Sequence, residues 1–285
     1  MKKILTNKLN ILLMLLLTCI AILCGCKTNN KPNTPKNKNV EVGVWWWDNR
    51  IDSNTYLNFA KENSVTEIYY YTSSFNEKTS NFITLANSLN IKVFLLGGKK
   101  EFLTNPQLAH TLVQKYLTYQ QNNPQAKFCG IQFDIEPHQF SDFEENREKY
   151  LYDLINFANT FKLAYSQITF DYAIPFWLDD LITFNGTQKE AYKHLIDISN
   201  RVLVMSYRDT AEKIYDVGED EVEYAKQTQK QLNLCVETGS EENIVTFYEE
   251  GKKVLYEQLE ILKNKIPQNF GISIHDIKRW YNLKN

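Results

Sequence analysis

From Val40 onward, short apolar runs alternate with longer stretches whose apolar positions recur at helical spacing, the pattern of repeated βα units. The runs read as strands over Val40 to Trp47, Glu67 to Thr72, Lys92 to Leu96 and Lys127 to Glu136, then Gln167 to Ile174, Arg201 to Tyr207, Leu234 to Glu237 and Asn269 to His275. Between them, amphipathic stretches predict helices. Ser53 caps one that runs to about Asn63, a second spans about Thr79 to Leu89, and Asn105-Pro106 opens a third that reaches about Gln121. Others are expected over Asp142 to Ala164, Gln188 to Ile198, Asp220 to Leu232 and Tyr248 to Lys265, with only a short helix in Asp276 to Asn285. Eight parallel strands joined by right-handed crossovers close into a barrel. The expected fold is α/β: a single (β/α)8 TIM barrel over residues 40–285 with a truncated last helix.

The fourth run, F-C-G-I-Q-F-D-I-E-P, has the most to say about chemistry. Successive strand side chains point to opposite faces, so Cys129, Ile131, Phe133 and Ile135 form an apolar row while Gly130, Gln132, Asp134 and Glu136 form a polar one. In a parallel strand covered on both faces the polar row points inward, where two carboxylates are costly unless paired or solvated. Pro137 ends the strand.

The amino-terminal 39 residues break the pattern. Lys2, Lys3 and Lys8 precede an apolar run from Leu9 to Leu23, followed by Gly25 and Cys26, which reads as a signal peptide over residues 1–25. Leu23-Cys24-Gly25-Cys26 resembles the lipobox of bacterial lipoproteins, which implies cleavage before Cys26, its lipidation (palmitate among the acyl chains) and a lipid anchor in the cell membrane. Residues 26–39, rich in Lys, Asn, Thr and Pro, read as a disordered linker holding the domain outside the cytoplasm. Seven of the 32 basic residues and none of the 34 acids lie in residues 1–39, so the remainder carries a formal charge of −9. That acidity removes the electrostatic reason to expect nucleic-acid binding. Cys129 and Cys235, the two cysteines beyond the signal, suggest neither a zinc site nor a disulfide framework and are expected as buried free thiols, while His110 and His194 on helices are expected to be solvated.

Active sites of such barrels lie at the carboxyl ends of the strands. There the chain places Trp47, Asp134, Glu136, Asp171, Trp177 and Tyr207, followed by Asp209, Glu237, His275 and Trp280. Aromatic rings at a barrel mouth suit the C–H faces of sugars. Glu136 is the candidate general acid, with Asp134 as its modulator and Glu237, across the barrel, as nucleophile or second carboxylate. Tyr207, Asp171, Trp280, Trp47, His275, Asp209 and Trp177 are the candidate substrate-binding residues. Carboxylates suffice for glycoside hydrolysis, so no cofactor is expected; no His/Asp/Glu cluster at ligand spacing supports a metal, and no G-x-S-x-G elbow supports a serine hydrolase.

The fourth strand resembles the D-x-x-D-x-D-x-E signature of glycoside hydrolase family 18, the chitinase-like barrels. The resemblance implies that Glu136 is the acid and that Asp134 orients a substrate acetamido group. Met205-Ser206-Tyr207 is similar to that family's sixth-strand Met-x-Tyr-Asp, implying Tyr207 as an acetamido partner, and Trp280 resembles its last-strand Trp. Cys129 and Gln132 replace the first two Asp, and Asp209 stands one residue late. Glu136-Pro137 with Glu237 also resembles retaining barrels with glutamates on strands four and seven, although Ile135 stands where those have Asn. The stretch Val40 to Trp280 is similar to secreted bacterial barrels of undefined activity that share M-x-Y-R-D-T, V-E-T-G and I-H-D segments. Together these imply a monomeric, membrane-tethered enzyme acting on glycans, or a carbohydrate-binding lipoprotein that keeps the pocket without the reaction.

Overall fold

The computed structural model describes residues 40–241 and 243–285. The expected signal peptide, lipidated Cys26 and linker lie outside the described residues. Eight parallel strands close the barrel: β1 (Val42–Trp46), β2 (Glu67–Tyr71), β3 (Lys92–Gly97), β4 (Ile131–Asp134), β5 (Phe170–Pro175), β8 (Arg201–Met205), β9 (Gln231–Glu237) and β10 (Gly271–His275). Their order round the barrel is β1-β10-β9-β8-β5-β4-β3-β2, so every strand beside its sequence neighbour is parallel to it. All eight expected strands are present. β4 is shorter than its apolar run, because its ladder with β5 covers only Ile131 to Asp134 and the chain turns at Pro137 into a 3-10 helix, Pro137–Gln139.

Helices cover the outside: α1 (Ser53–Glu62), α2 (Glu77–Ser88), α3 (Glu101–Thr104), α4 (Pro106–Asn122), α5 (Arg147–Ala164), α6 (Ala191–Ile198), α7 (Ala211–Val217), α8 (Glu219–Gln227), α9 (Lys252–Lys265) and α10 (Ile277–Asn282). Asp52, not Ser53, caps α1, accepting the Thr55 amide at 2.8 Å. The last helix is indeed only six residues long. Asp276 caps it through the Lys278 and Arg279 amides, which starts the helix immediately after β10. The expectation for Gln188 fails, since the chain between β5 and α6 makes an antiparallel hairpin, β6 (Leu181–Phe184) with β7 (Thr187–Glu190). Asn185 and Gly186 both have positive φ, 49° and 78°, the conformation a two-residue primed turn requires and which Asn-Gly adopts at low cost.

Alternation along the strands divides the side chains into two populations. One row faces the helices; there Phe133 packs edge-on against Phe157 at 5.2 Å and near-parallel to Phe170 at 5.7 Å. The other row fills the barrel. Trp45, Tyr69, Phe94, Leu96, Ala173, Leu203 and Cys235 form the middle of this inner packing. Below them, at the amino-terminal ends of the strands, Arg201 binds Glu67 and Asp171 in a closed ion network. Above them lies the barrel mouth. The inward polar row of β4 is therefore confirmed, with Gln132 and Asp134 buried. Cys235 is the buried thiol expected, whereas Cys129 is exposed because it lies ahead of β4 rather than within it. His194 is also buried, its Nε2 3.0 Å from the Ile182 carbonyl in the added hairpin.

Candidate active site

The carboxyl ends of the strands surround a cleft of about 570 Å³. Asp134, Glu136, Tyr207, Glu237 and His275 line it, with Trp47, Phe176 and Trp177 supplying aromatic wall. An adjoining hollow of about 380 Å³ shares Trp47, Asp134, Glu136 and His275 and extends to Lys99 and Lys100. Candidate residues from β1, β4, β8, β9 and β10 are thus brought to one place.

Asp134 and Glu136 lie two residues apart yet have different surroundings. Asp134 is buried, and its Oδ1 has no hydrogen-bond partner. Burial, reinforced by the neighbouring Glu136 charge, pushes its pKa up to about 7. A carboxyl in that position is protonated for much of the neutral range and can donate a hydrogen bond as well as accept one. Glu136 stands past the strand end with 27% of its side chain exposed, and its Oε2 lies 3.0 Å from His138 Nε2. It can therefore reach a ligand in the cleft while one oxygen remains held. His138 in turn packs edge-on against Trp177, with ring centroids 5.4 Å apart.

Glu237 is engaged throughout. Its Oε1 accepts the Thr238 and Gly239 amides at 2.8 and 2.6 Å and Arg279 Nη1 at 3.3 Å; its Oε2 lies 2.7 Å from His275 Nδ1. Burial alone would raise its pKa, but the hydrogen bonds from His275 and the Gly239 amide, with the Arg279 charge, outweigh burial and lower the pKa below the ordinary carboxylate value. The other His275 nitrogen, Nε2, accepts the Trp47 indole N–H at 2.9 Å. Since an indole only donates, this contact sets the imidazole as the Nδ1–H tautomer, which donates to Glu237. Trp47 is thereby fixed at the mouth, 5.8 Å from the Tyr71 ring. Gly98 makes room for it: a Cβ there would come within 2.5 Å of the indole.

Three sequence-derived candidates are placed elsewhere. Asp171 is the second residue of β5 and belongs to the ion network at the opposite end of the barrel, 2.6 Å from Arg201 Nη2. Asp209 turns out of the cleft to Lys213 at 3.2 Å, one helical turn ahead. Trp280 is buried on α10, outside the barrel, packed edge-on against Phe59 at 5.0 Å. A six-residue helix between β10 and its end carries Trp280 away from the strand mouth, where His275 stands instead. Trp45 and Trp46 are core residues, one on each face of β1, so only Trp47 and Trp177 of the five tryptophans line the cleft.

Sequence reasoning missed His138, Arg208 and Arg279. The first two were legible, since each immediately follows a candidate segment, in E-P-H and Y-R. Arg279 reaches Glu237 only because Asp276 starts α10 directly after β10. Tyr207 was anticipated; burial, with Cys235 and the cleft carboxylates nearby, raises its pKa well above the usual phenol value, so it remains a neutral donor. Among the described residues, no group of three or more His, Cys, Asp or Glu is arranged to hold a metal ion.

With this geometry in view, the solved structures most informative about the fold are glycoside-hydrolase barrels. The spore cortex-lytic enzyme SleL of Bacillus cereus superposes with a TM-score of 0.53 at 13% identity, over 86% of this chain and 71% of that one. A chitinase from Bacteroides thetaiotaomicron gives 0.53 at 13% identity, over 84% and 90%. SleL of Bacillus megaterium gives 0.51 at 14%, over 88% and 74%. The chain has the fold of the chitinase-like family 18 barrels. No protein-family model matches the sequence, and no curated protein matches it. At such identities the likeness establishes architecture, and the chemistry must be argued from the cleft.

Proposed function

We propose that this protein is a membrane-anchored, extracytoplasmic glycoside hydrolase that cleaves glycosidic bonds by carboxylate acid/base chemistry. The observation that carries the proposal is the pairing, within one aromatic-walled cleft, of a buried partnerless Asp134 with a half-held, reachable Glu136. A protonated Glu136 gives its proton to the glycosidic oxygen as the bond from that oxygen to the anomeric carbon breaks. The resulting positive charge on the ring is met by the carbonyl oxygen of the sugar's own acetamido group, whose N–H is accepted by Asp134. Ionised Glu136 then takes a proton from the water that attacks the anomeric carbon, displacing the acetamido oxygen and restoring the acetamido group. Tyr207 donates to the acetamido oxygen during its attack.

This route is preferred to attack by Glu237 because both Glu237 oxygens are already occupied. Glu237 then serves as the anchor that orients His275 and, through it, the Trp47 platform. The fold neighbours support a glycan ligand, since they are named as chitinases and cortex-lytic enzymes. Anchoring through Cys26 rests on the lipobox resemblance.

One observation favours the alternative of a carbohydrate-binding lipoprotein without turnover. Gln132, below Asp134 on the same row, donates to the Phe133 carbonyl and cannot share a proton as the signature's Asp could. The full chain incubated with an N-acetylglucosamine tetrasaccharide separates the two. Shortened products, absent with Glu136→Gln, support the enzyme; saturable binding without products over long incubation supports the binder and removes the enzyme.

A further inference from the structure

The five arginines beyond the linker differ in one respect that bears on substrate. Arg50, Arg147, Arg201 and Arg279 each lie against a carboxylate, at 2.8, 2.9, 2.6 and 3.3 Å. Arg208, among the described residues, makes no such pair. It is half-buried on the cleft wall, its guanidinium 4.8 Å above the Phe176 ring and its Nη1 donating to the Tyr207 carbonyl at 2.7 Å. The adjacent acid, Asp209, is turned away to Lys213. The fork is thus held in place by a ring and a carbonyl, and among the described residues no carboxylate pairs with it.

We infer that Arg208 reads a carboxylate on the glycan, so that the cleft selects acidic over neutral polymers; this rests on the glycan-cleft reading above. A half-buried cation without a counter-ion is unfavourable, and a planar carboxylate is the group whose geometry matches a guanidinium fork. The domain carries a formal charge of −9 and repels an acidic polymer at long range, so recognition of one requires a local cation. Arg208 stands directly after Tyr207, where the Met-x-Tyr-Asp pattern has an acid. The charge at that point of the wall is therefore reversed, which changes the preferred ligand charge in the same sense.

Calorimetric titration of the full chain carrying Glu136→Gln, in which turnover plays no part, tests this. The probes are an N-acetylglucosamine tetrasaccharide, the same tetrasaccharide oxidised to its 6-carboxylates, and one bearing 3-O-carboxyethyl ethers. At least one carboxylated probe is expected to bind about 10- to 100-fold more tightly than the neutral one. Adding Arg208→Gln, which keeps a side chain over Phe176, removes that preference, and Arg208→Lys restores part of it. Equal affinities for all three probes, no binding of any, or a preference that survives Arg208→Gln with an unchanged melting temperature overturns the inference. Failure of the wild type to hydrolyse glycans while the Arg208-dependent preference persists removes only the enzymatic reading.

Discussion

The barrel encloses two groups of acids, one at each end, and treats them in opposite ways. At the amino-terminal end Glu67 and Asp171 are 1% and 2% exposed, yet both are bound by the same guanidinium, Arg201. Burial raises the Asp171 pKa and the Arg201 charge pulls it only part of the way back, leaving it at about 6. Asn233 and Tyr69 complete the network with hydrogen bonds to Glu67. At the carboxyl end Asp134 is also buried, but among the described residues no Lys or Arg pairs with it; burial and the Glu136 charge raise its pKa, and His275 and His138 offset them only in part. Compensation at one end and its absence at the other distinguish a structural plug from a site that holds a proton at neutral pH.

This contrast can be broken by substitution. The largest effect belongs to the mouth: Glu136→Gln is expected to lower turnover of a glycan about 10²- to 10⁴-fold with the melting temperature little changed, as read by product formation and thermal unfolding. Next is the closed end, where Arg201→Met leaves two buried carboxylates without a counter-charge. It should cost about 3–5 kcal/mol in denaturant unfolding, or roughly 10 °C in melting temperature. Turnover per folded molecule is expected to be retained.

The smallest effect is on stability, from Asp134→Asn, and its sign depends on pH. The folded pKa of about 7 lies above the ordinary 3.8, so the native state holds a proton that the unfolded chain releases. Wild-type stability therefore declines as pH rises from about 4 through 7, and the asparagine variant escapes that decline. Unfolding at pH 8 should show a gain of about 1–3 kcal/mol that vanishes below pH 4, alongside a loss of turnover.

The barrel was readable in the sequence because its strands are runs whose period-2 alternation separates a helix-facing row from an inner one. The same rule locates Asp134 and Glu136, whose inner row ends at a proline. It does not say at which height along a strand an inner residue sits. Asp171 was assigned to the mouth for that reason: the parity is right, but Phe170 begins β5 and leaves Asp171 at the closed end. Trp280 was misassigned because the turn after β10 is set by Asp276 capping a short helix, a local hydrogen-bond choice that apolar periodicity does not report. The hairpin at Asn185-Gly186 is a different case, since its turn dipeptide is present in the sequence and only the residues from Gln188 onward read as helix. The Trp47–His275–Glu237 chain joins residues up to 228 positions apart, and only the closed barrel brings them together.

Titration of the Asp134 carboxyl by carbon-13 NMR of the folded full chain tests the central contrast most directly. A midpoint near 7, moving down when Glu136 is replaced by Gln, is the predicted result. A midpoint at or below 4 would mean that the Asp134 charge is compensated in the cleft, and would contradict the account.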